Sequence, residues 1–454
     1  MKNKIRIGCG AGFSGDRIEP AIILAEKAEL DYLVLECLAE RTIALAQKRK
    51  QEDPIKGYDP FLERRVESLL PALVKNKIKV ITNMGAANPI EAAKKIIDIA
   101  TRKNIKIKVA AVHGDDVFSQ LAGKQFDFND FISFSEDEKI IHHASSPIHN
   151  EQVVSANAYM GVEAIVEALK ADAQIIITGR VADPSLFLAP MIYEFGWRTD
   201  DYDLMGKGTV TGHLLECAGQ VTGGYFADPL KKPVENMDTL GHPFADVFAD
   251  GSSIISKVDG TGGIVNLQTV KEQLLYEVVN PYEYYTPDVV ADFTTVKLKE
   301  VGKDKVHISG GTGNHKPPTY KVSVGYKAFY LGEGEISYAG PIAYERALLA
   351  GSIIEKRLKS KTGDLRVDYI GLNSTLRKNF ALNTDNVSEI RLRVAGKFQT
   401  SSEAVSVGEE VEALYTNGPA GGGGVRKYVN EVIGIVSVLI ERNRISPQIT
   451  VFNS

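Results

Sequence analysis

Short apolar runs alternate with helical patterns from the start of the chain to about residue 225. The runs are rich in Ile, Val and Leu and nearly continuous, which is typical of parallel strands with helices on both sheet faces. The predicted strands are residues 4–8, 31–36, 78–82, 105–112 and 174–178. Helical patterns lie between them at 18–30, 60–76, 89–103 and 161–171. These patterns predict an α/β domain with a mainly parallel sheet over residues 1–227.

The pattern changes after about Asp228. Residues 229–340 contain many turn and strand signals, among them glycine-rich segments and an aromatic run, Tyr282-Glu283-Tyr284-Tyr285. Further on, the pattern predicts helices at 344–359 and 425–442 and strands at 365–371 and 389–394. We therefore expect a second, α+β domain over residues 228–454.

A glycine-rich turn follows the first predicted strand and ends in a charged pair: Gly8-Cys9-Gly10-Ala11-Gly12-Phe13-Ser14-Gly15-Asp16-Arg17. Part of it has the G-x-G-x-x-G spacing of dinucleotide-binding folds. Pro20 disfavours NAD or FAD, because in such a fold it would lie inside a helix, without an N–H and against an upstream carbonyl. Asp16 as N-cap with Glu19 gives a better helix start. A ligand-facing loop is the favoured interpretation; a dinucleotide site and a structural turn stay open.

Small and polar residues follow each of the five predicted strands. Because ligands bind at the carboxyl ends of strands in open parallel sheets, we expect these residues to line one cleft. Arg180 suits a carboxylate or phosphate, which guanidinium binds through two hydrogen bonds; an ion pair with Asp183 is the alternative. The substrate-binding candidates at these strand ends are Gly10, Gly12, Gly15, Arg17, Glu36, Asn83, Asp115, Arg180 and Asp183.

Two candidates for moving a proton lie at these strand ends. Asp16 stands at the mouth of the glycine turn, where a helix cap is its alternative role. His113 is followed by Gly114, Asp115 and Asp116, so it has the sequence context of a general base oriented by a carboxylate. A loop histidine with only structural hydrogen bonds is the alternative for His113.

A second polar cluster follows farther along the chain. A helix over residues 213–220 would place His213, Glu216 and Cys217 on one face. His213 and Glu216 are therefore candidates for an acid–base pair, and Cys217 is a candidate substrate contact or nucleophile. Free cysteines are often buried filler, which is the alternative for Cys217.

Composition narrows the classes of partner. The chain has 454 residues, 44% hydrophobic and 24% charged, and a net charge of −5 with both signs interspersed. This gives no electrostatic reason to expect nucleic acid or an anionic membrane. No apolar run reaches membrane-span length, and the first strand begins too early for a signal peptide. Three cysteines without C-x-x-C spacing fit a reducing, cytoplasmic location. No motif predicts a metal site, and the glycine runs lack the P-loop residues that ATP needs.

Several of these segments resemble the acyclic terpene utilisation A family. The resemblance is dense to about residue 225 and continues in a segment that ends at about residue 423. The segments that carry it are residues 10–17, 35–44, 57–60, 82–89, 178–183, 212–224 and 414–423.

The family takes its name from a bacterial gene cluster for citronellol and geraniol breakdown, in which neighbouring enzymes act on branched acyl-CoA thioesters. The resemblance implies a role in small branched carboxylate or acyl-CoA catabolism, with CoA as the substrate carrier, but it establishes no reaction. Many members carry a further C-terminal ferredoxin-like domain. We expect this chain to be the core without it, and a separate small subunit to take its place. Shorter relatives also fit carboxylate pathways other than terpene breakdown.

The leading hypothesis is an enzyme of non-redox addition, elimination or hydrolysis, a lyase, hydratase or hydrolase. In it, the glycine turn and Arg180 hold the anionic part of the substrate, and Asp16, His113 or Glu216 moves a proton. The alternatives are a non-catalytic binding or scaffold subunit and, third, an NAD(P)- or flavin-dependent oxidoreductase. A homo-oligomer is expected.

Overall fold

The computed structural model describes residues 2–118, 132–133, 152–362, 364–375 and 387–454. The chain forms two compact units, one of Met1–Gly325 with Ile435–Ser454 and the other of Tyr326–Gly434. The first elements of the larger unit are β1 Lys4–Ala11, α1 Glu19–Lys27, β2 Tyr32–Leu35, α2 Glu40–Glu52, α3 Leu62–Asn76, β3 Lys79–Thr82, α4 Pro89–Arg102, β4 Lys108–His113, β5 Ile132–Ser133, β6 Val153–Ala158, α5 Glu163–Lys170, β7 Ile175–Thr178, α6 Ser185–Phe195 and α7 Tyr202–Glu216.

The remaining elements follow in chain order, and the two compact units divide within two of the strands, β15 and β18. These elements are β8 Pro243–Phe248, β9 Ser253–Lys257, α8 Leu267–Leu275, β10 Tyr284–Tyr285, β11 Val290–Asp292, β12 Lys297–Gly302, β13 Lys305–Ser309, β14 Thr312–Gly313, β15 Thr319–Ala339, α9 Ala343–Leu358, β16 Leu365–Ile370, β17 Glu389–Phe398, α10 Ser401–Asn417, β18 Gly423–Glu441 and β19 Gln448–Asn453.

A large sheet forms the centre of the larger unit. Its described strands lie in the order β12-β13-β9-β8-β1-β2-β3-β7-β4-β19. The middle strands, from β1 to β4 in this order, are all parallel. The strands on either side of them, β8 next to β1 and β19 next to β4, pair antiparallel. The predicted α/β fold with a mainly parallel sheet in the N-terminal part is confirmed.

Helices cover both faces of the parallel strands, as the continuous apolar runs predict. Tyr32 and Val34 of β2 point into one core, which also contains residues of α5, α6 and α7. Leu33 and Leu35 of the same strand point into a second core with residues of α1, α3 and α4. Side chains alternate between the two faces of a strand, so every residue of β2 is buried. Because these strands are parallel, their carboxyl ends lie at one edge of the sheet.

The smaller unit has its own core. Within it, β17 pairs antiparallel with β15 and with β16. α9 and α10 contribute buried residues such as Ala347, Ile354, Val407 and Val411 to the core beside this sheet. α10 begins at a capping box in which Thr400 and Glu403 exchange hydrogen bonds.

Two sequence expectations differ from these elements. The predicted helix at 425–442 is wrong, since β18 occupies this segment. Its many Val and Ile residues are stiff at χ1 and fit a pleated surface better than a helix. The predicted domain boundary between residues 227 and 228 does not coincide with the division into compact units. The reason is that β8 and β9, which follow that boundary, extend the sheet that contains β1. In the part of the chain that the structure describes, every helix is too short or too polar to cross a bilayer.

Candidate active site

A cavity of about 950 Å³ lies in the larger unit, bordered by the segments that follow β2 and β7. Cavities of this size usually bind small molecules, and the carboxyl ends of parallel strands are where ligands bind in such sheets. Its wall combines charged side chains with tyrosines and prolines. It includes Glu40, Arg41, Tyr159, Arg180, Asp183, Pro184, Glu277, Tyr284, Tyr285, Pro317, Pro318 and Lys321.

Arg180 is the most enclosed charge in this wall, with 2% of its surface exposed. Its Nη1 donates to the carbonyl oxygen of Leu38, and its Nη2 lies 3.2 Å from Oδ1 of Asp183. The guanidinium also covers the ring of Tyr159, with 4.0 Å between Cζ and the ring centre. Its Nε is buried without a hydrogen-bond partner among the described residues. The side chain is thus fixed in place, with one donor that lacks a hydrogen bond among the described residues.

Asp115 holds the backbone of this arginine. Its Oδ2 accepts hydrogen bonds from the Arg180 amide at 3.0 Å and from Nδ2 of Asn157 at 2.8 Å. A Cβ on residue 179 would lie 2.3 Å from Oδ1 of Asp115, so only glycine fits at this position beside the carboxylate. Burial raises the pKa of Asp115 to about 6. Asp115 is not part of the cavity wall, and we interpret it as a positioning residue rather than the predicted substrate contact.

Glu36 lies at the end of β2 with 8% of its surface exposed. Its Oε1 accepts from Nδ2 of Asn83 and from the Leu38 amide, both at 2.8 Å. Asn83 is itself fixed, because its Oδ1 accepts from the Cys37 amide at 2.7 Å. Burial and the nearby charge of Asp183 raise the pKa of Glu36 to about 8, although Arg180 opposes the shift. Glu36 is therefore mainly a neutral acid at pH 7.

A second polar group closes the wall beside Arg180. Oε1 of Glu40 accepts hydrogen bonds from the Tyr159 hydroxyl at 2.9 Å and from Nζ of Lys321 at 2.7 Å. Lys321 also lies 4.9 Å from the centre of the Tyr159 ring, which therefore contacts two cations. Tyr159 and Lys321 are not among the site residues predicted from the sequence. Neither follows a parallel strand, so the strand-end rule that found Arg180 does not reach them.

His213 and Glu216 form a hydrogen-bonded pair at the end of α7. Nδ1 of His213 is 2.9 Å from Oε1 of Glu216, and Nε2 is 3.0 Å from the carbonyl oxygen of Gln273. A carbonyl only accepts, so Nε2 must carry a proton. The Nδ1···Oε1 contact then needs one further proton, on either the ring or the carboxyl. Burial raises the pKa of Glu216 to about 7, which fits a carboxyl that holds this proton near neutral pH.

Cys217 adjoins this pair, but it lies beyond the helix. α7 ends at Glu216 and a short 3-10 turn follows over Ala218–Gln220, so the predicted helical stripe over 213–220 is only partly formed. Burial and the charge of Glu216 raise the pKa of the Cys217 thiol well above its usual range. A thiol that stays protonated is a poor nucleophile, which disfavours a nucleophilic role.

The glycine turn is more extended than the sequence analysis expects. β1 continues through Ala11, so Gly10 is a strand residue, and a Cβ on it would lie 2.7 Å from Leu35 Cδ2. A Cβ on Gly12 would lie 2.6 Å from the backbone of Cys217. Gly10, Gly12 and Gly15 all have negative φ, so close packing rather than a left-handed turn explains the first two. The G-x-G-x-x-G interpretation as a dinucleotide turn is not borne out by this geometry.

Asp16 does not cap α1, contrary to the predicted capping box. Its Oδ2 accepts from the Gly12 amide at 2.9 Å and its Oδ1 from the Arg17 amide at 3.0 Å, while α1 begins at Glu19 with no side-chain cap. The carboxylate closes the loop onto itself instead. Asp16 and Arg17 border a separate groove of about 330 Å³, outside the wall of the larger cavity.

His113 also lies outside the cavity wall. It ends β4, where β4 pairs with β19, and its Nε2 is 3.0 Å from Oγ1 of Thr450. The predicted carboxylate partner of His113 is therefore wrong, because the neighbouring antiparallel strand β19 supplies the hydroxyl of Thr450 instead. Burial lowers the pKa of His113, which favours the neutral ring.

The structure thus separates the predicted residues into three sets. Arg180 and Asp183 line the cavity. Glu36 and Asn83 lie outside its wall and are connected to Arg180 through Leu38, whose amide binds Glu36 and whose carbonyl oxygen binds Arg180. His213, Glu216 and Cys217 adjoin the wall, because the His213 ring lies 5.2 Å, between ring centres, from Tyr284 of that wall. The residues that lie elsewhere or only support the backbone are Gly10, Gly12, Gly15, Asp16, Arg17, His113 and Asp115. Among the described residues, no group of three or more His, Cys, Asp or Glu side chains is arranged to hold a metal ion.

The hydrogen bonds of His213 predict which ring nitrogen is protonated. In long-range ¹H–¹⁵N spectra we expect Nε2 of His213 to carry its proton at all pH values at which the protein is folded, because the Gln273 carbonyl oxygen accepts it. Exposed His315 serves as the control ring. A neutral His213 with its proton on Nδ1 instead would contradict the arrangement.

Comparison with known proteins adds the family. The family model described as acyclic terpene utilisation family protein AtuA matches residues 5–451. A search of curated proteins and a search of solved structures each returned no match. The family match covers nearly the whole chain, including the strand ends that carry Glu36, Asn83 and Arg180. The chain therefore belongs to the acyclic terpene utilisation AtuA family.

Proposed function

We propose that the protein is an enzyme that moves protons on a small branched carboxylate or its acyl thioester, in a non-redox addition, elimination or hydrolysis. The observation that carries this proposal is Glu36, a fixed carboxyl with a pKa of about 8 beside the cavity residues Arg180 and Asp183. A general acid works best when its pKa lies near the working pH, and burial next to another carboxylate is how proteins reach such values. Membership of the AtuA family supports the substrate class.

Arg180 of the cavity wall, and Glu36, Glu216 and His213 next to that wall, suit different parts of such a reaction. Nε of Arg180 is the free donor and would bind a carboxylate or thioester oxygen. Oε1 of Glu36 is occupied by two hydrogen bonds, so its Oε2, without a partner among the described residues, is the oxygen that would give or take a proton. The Glu216–His213 pair holds a second proton nearby. Tyrosines and prolines of the wall would exclude water from the apolar part of the substrate.

The other interpretations lose support unequally. The oxidoreductase alternative depends on the G-x-G-x-x-G motif. Close packing explains why Gly10 and Gly12 are glycines, so the motif no longer supports a dinucleotide site. A scaffold subunit without catalysis gives no reason for a fixed acid with a raised pKa next to a buried arginine, although structural ion pairs also shift pKa values. The separate small ferredoxin-like subunit, the homo-oligomer, CoA as carrier and the cytoplasmic location stay predictions.

Glu36→Gln tests the raised pKa through protein stability. The pKa of Glu36 is higher in the folded chain than its usual 4.5, so the folded state keeps a proton that the unfolded state loses as pH rises. Between about pH 5 and 8 each pH unit then costs the wild type about 1.4 kcal/mol of stability, a loss that the glutamine lacks. Urea unfolding should show the variant gaining on the wild type over this range. Parallel pH profiles for the two proteins would contradict the shift.

A substrate panel tests the proposed reaction. Purified protein should turn over at least one of a set of branched 2-enoyl and 3-hydroxyacyl CoA thioesters and the corresponding free acids. Glu36→Gln should lower kcat by about 10²- to 10⁴-fold, the usual contribution of a general acid or base. Glu194→Gln is the control, because Glu194 lies outside the cavity wall and binds the Tyr32 hydroxyl. No turnover of any member, or equal kcat for Glu36→Gln and wild type, would count against the proposal.

A further inference from the structure

Buried polar atoms without hydrogen bonds are concentrated near one end of the cavity. The described residues contain seven such side-chain atoms, and four of them are Nε of Arg180, Oδ1 of Asp183, Oε2 of Glu216 and Oε1 of Gln273. Leaving a buried donor or acceptor unpaired is unfavourable, so folded proteins retain few of them. Four in one region indicate a place that a bound polar group completes.

These four residues belong to one neighbourhood. Arg180 and Asp183 are both in the cavity wall and are ion-paired. Tyr284 of the wall lies 5.2 Å, between ring centres, from His213. His213 contacts Glu216 through Nδ1, and its carbonyl oxygen accepts a hydrogen bond from Nε2 of Gln273. The arginine is 2% exposed and is one of the residues that border the cavity, and its Nε–H has no acceptor among the described residues.

The chemical types of these atoms limit the ligand. Nε of Arg180 is a donor and needs an acceptor, such as a carboxylate or carbonyl oxygen. The other three atoms are oxygens, and Oδ1 of Asp183 is the one that lies in the wall. A simple carboxylate would satisfy the arginine and leave Oδ1 of Asp183 with no hydrogen bond, only its 3.2 Å ion-pair contact with Nη2 of Arg180, beside a further negative charge. A hydroxyl group on the same ligand would donate its hydrogen to Oδ1 and remove the mismatch.

We infer that the substrate is a hydroxylated carboxylate or hydroxyacyl thioester, with its carboxyl oxygen on Nε of Arg180 and its hydroxyl on Oδ1 of Asp183. This inference rests on the proposed function and specifies its substrate class. Binding of such a ligand would give Nε of Arg180 and Oδ1 of Asp183 the hydrogen-bond partners that they lack. A site built to bind a hydroxyl also discriminates strongly against analogues that lack it, because its own polar atoms are then left unpaired.

Calorimetric binding of matched acids tests the inference. The probes are 3-hydroxy-3-methylbutyrate and 2-hydroxy-3-methylbutyrate against 3-methylbutyrate, each as the free acid and as the N-acetylcysteamine thioester. We expect one hydroxylated probe to bind at least tenfold more tightly than 3-methylbutyrate in the same form. Equal affinities, or no binding of any probe up to about 10 mM, which is well above a millimolar Kd, would overturn the inference.

Variants assign the preference to Asp183. Asp183→Ala should reduce the tenfold ratio towards one, and Asp183→Asn, which keeps a side-chain oxygen, should restore part of it. Glu194→Gln is the matched control, because Glu194 is a carboxylate outside the cavity wall, and it should keep the full ratio. A ratio unchanged in Asp183→Ala would overturn the assignment, with thermal unfolding confirming that the variant is folded.

The outcomes for the inference and for the proposed function are separable. Turnover in the substrate panel without hydroxyl preference would leave an acid–base enzyme and remove only the hydroxylated substrate class. Hydroxyl preference without turnover of any panel member would support the binding geometry and count against the enzyme.

Discussion

The burial of the Arg180 guanidinium is the constraint on which the rest of the site depends. Taking a charge out of water is costly unless hydrogen bonds and an opposite charge replace the solvent. The Leu38 carbonyl, Asp183 and the Tyr159 ring surround the guanidinium, and Asp115 holds its backbone. These contacts come from several separate segments, so the arginine joins the ends of β2, β4 and β7 into one structure. The Nε–H of Arg180 is the donor of this side chain that has no hydrogen-bond partner among the described residues.

More acids surround this arginine than its own charge and that of Lys321 can balance. Asp183 pairs with it directly, and Glu36 and Glu216 lie within reach of the charge of Asp183. Because two neighbouring carboxylates in a buried site resist full ionisation, protons replace the missing cations. Burial is the main reason why the pKa of Glu36 rises to about 8 and that of Glu216 to about 7, and the charge of Asp183 adds to both shifts. The excess of buried acids over cations destabilises the folded protein, and it also provides two carboxyl groups that titrate near neutral pH.

The sequence predicts the part of the site that follows from sheet geometry. Apolar runs locate the parallel strands, and the rule that strand ends form a cleft finds Glu36, Asn83, Arg180 and Asp183. They meet because β2, β3 and β7 are neighbours in the sheet, an order that the sequence does not reveal. His113 fails for the same reason: β4 lies beside antiparallel β19, which directs the ring to Thr450. Lys321 and Tyr159 come from segments outside the parallel strands, and only tertiary packing brings them to Arg180. Glycine spacing misleads, because Gly10 and Gly12 make room for Leu35 and Cys217 rather than for a phosphate.

The protonation of Glu36 is the central claim, and its carboxyl carbon reports it directly. Site-resolved ¹³C NMR of the Glu36 carboxyl, followed as a function of pH, should give a midpoint at about 8, with a lower midpoint in Asp183→Asn because the raising charge is gone. A midpoint near the usual value of 4.5 that Asp183→Asn leaves unchanged would contradict the account.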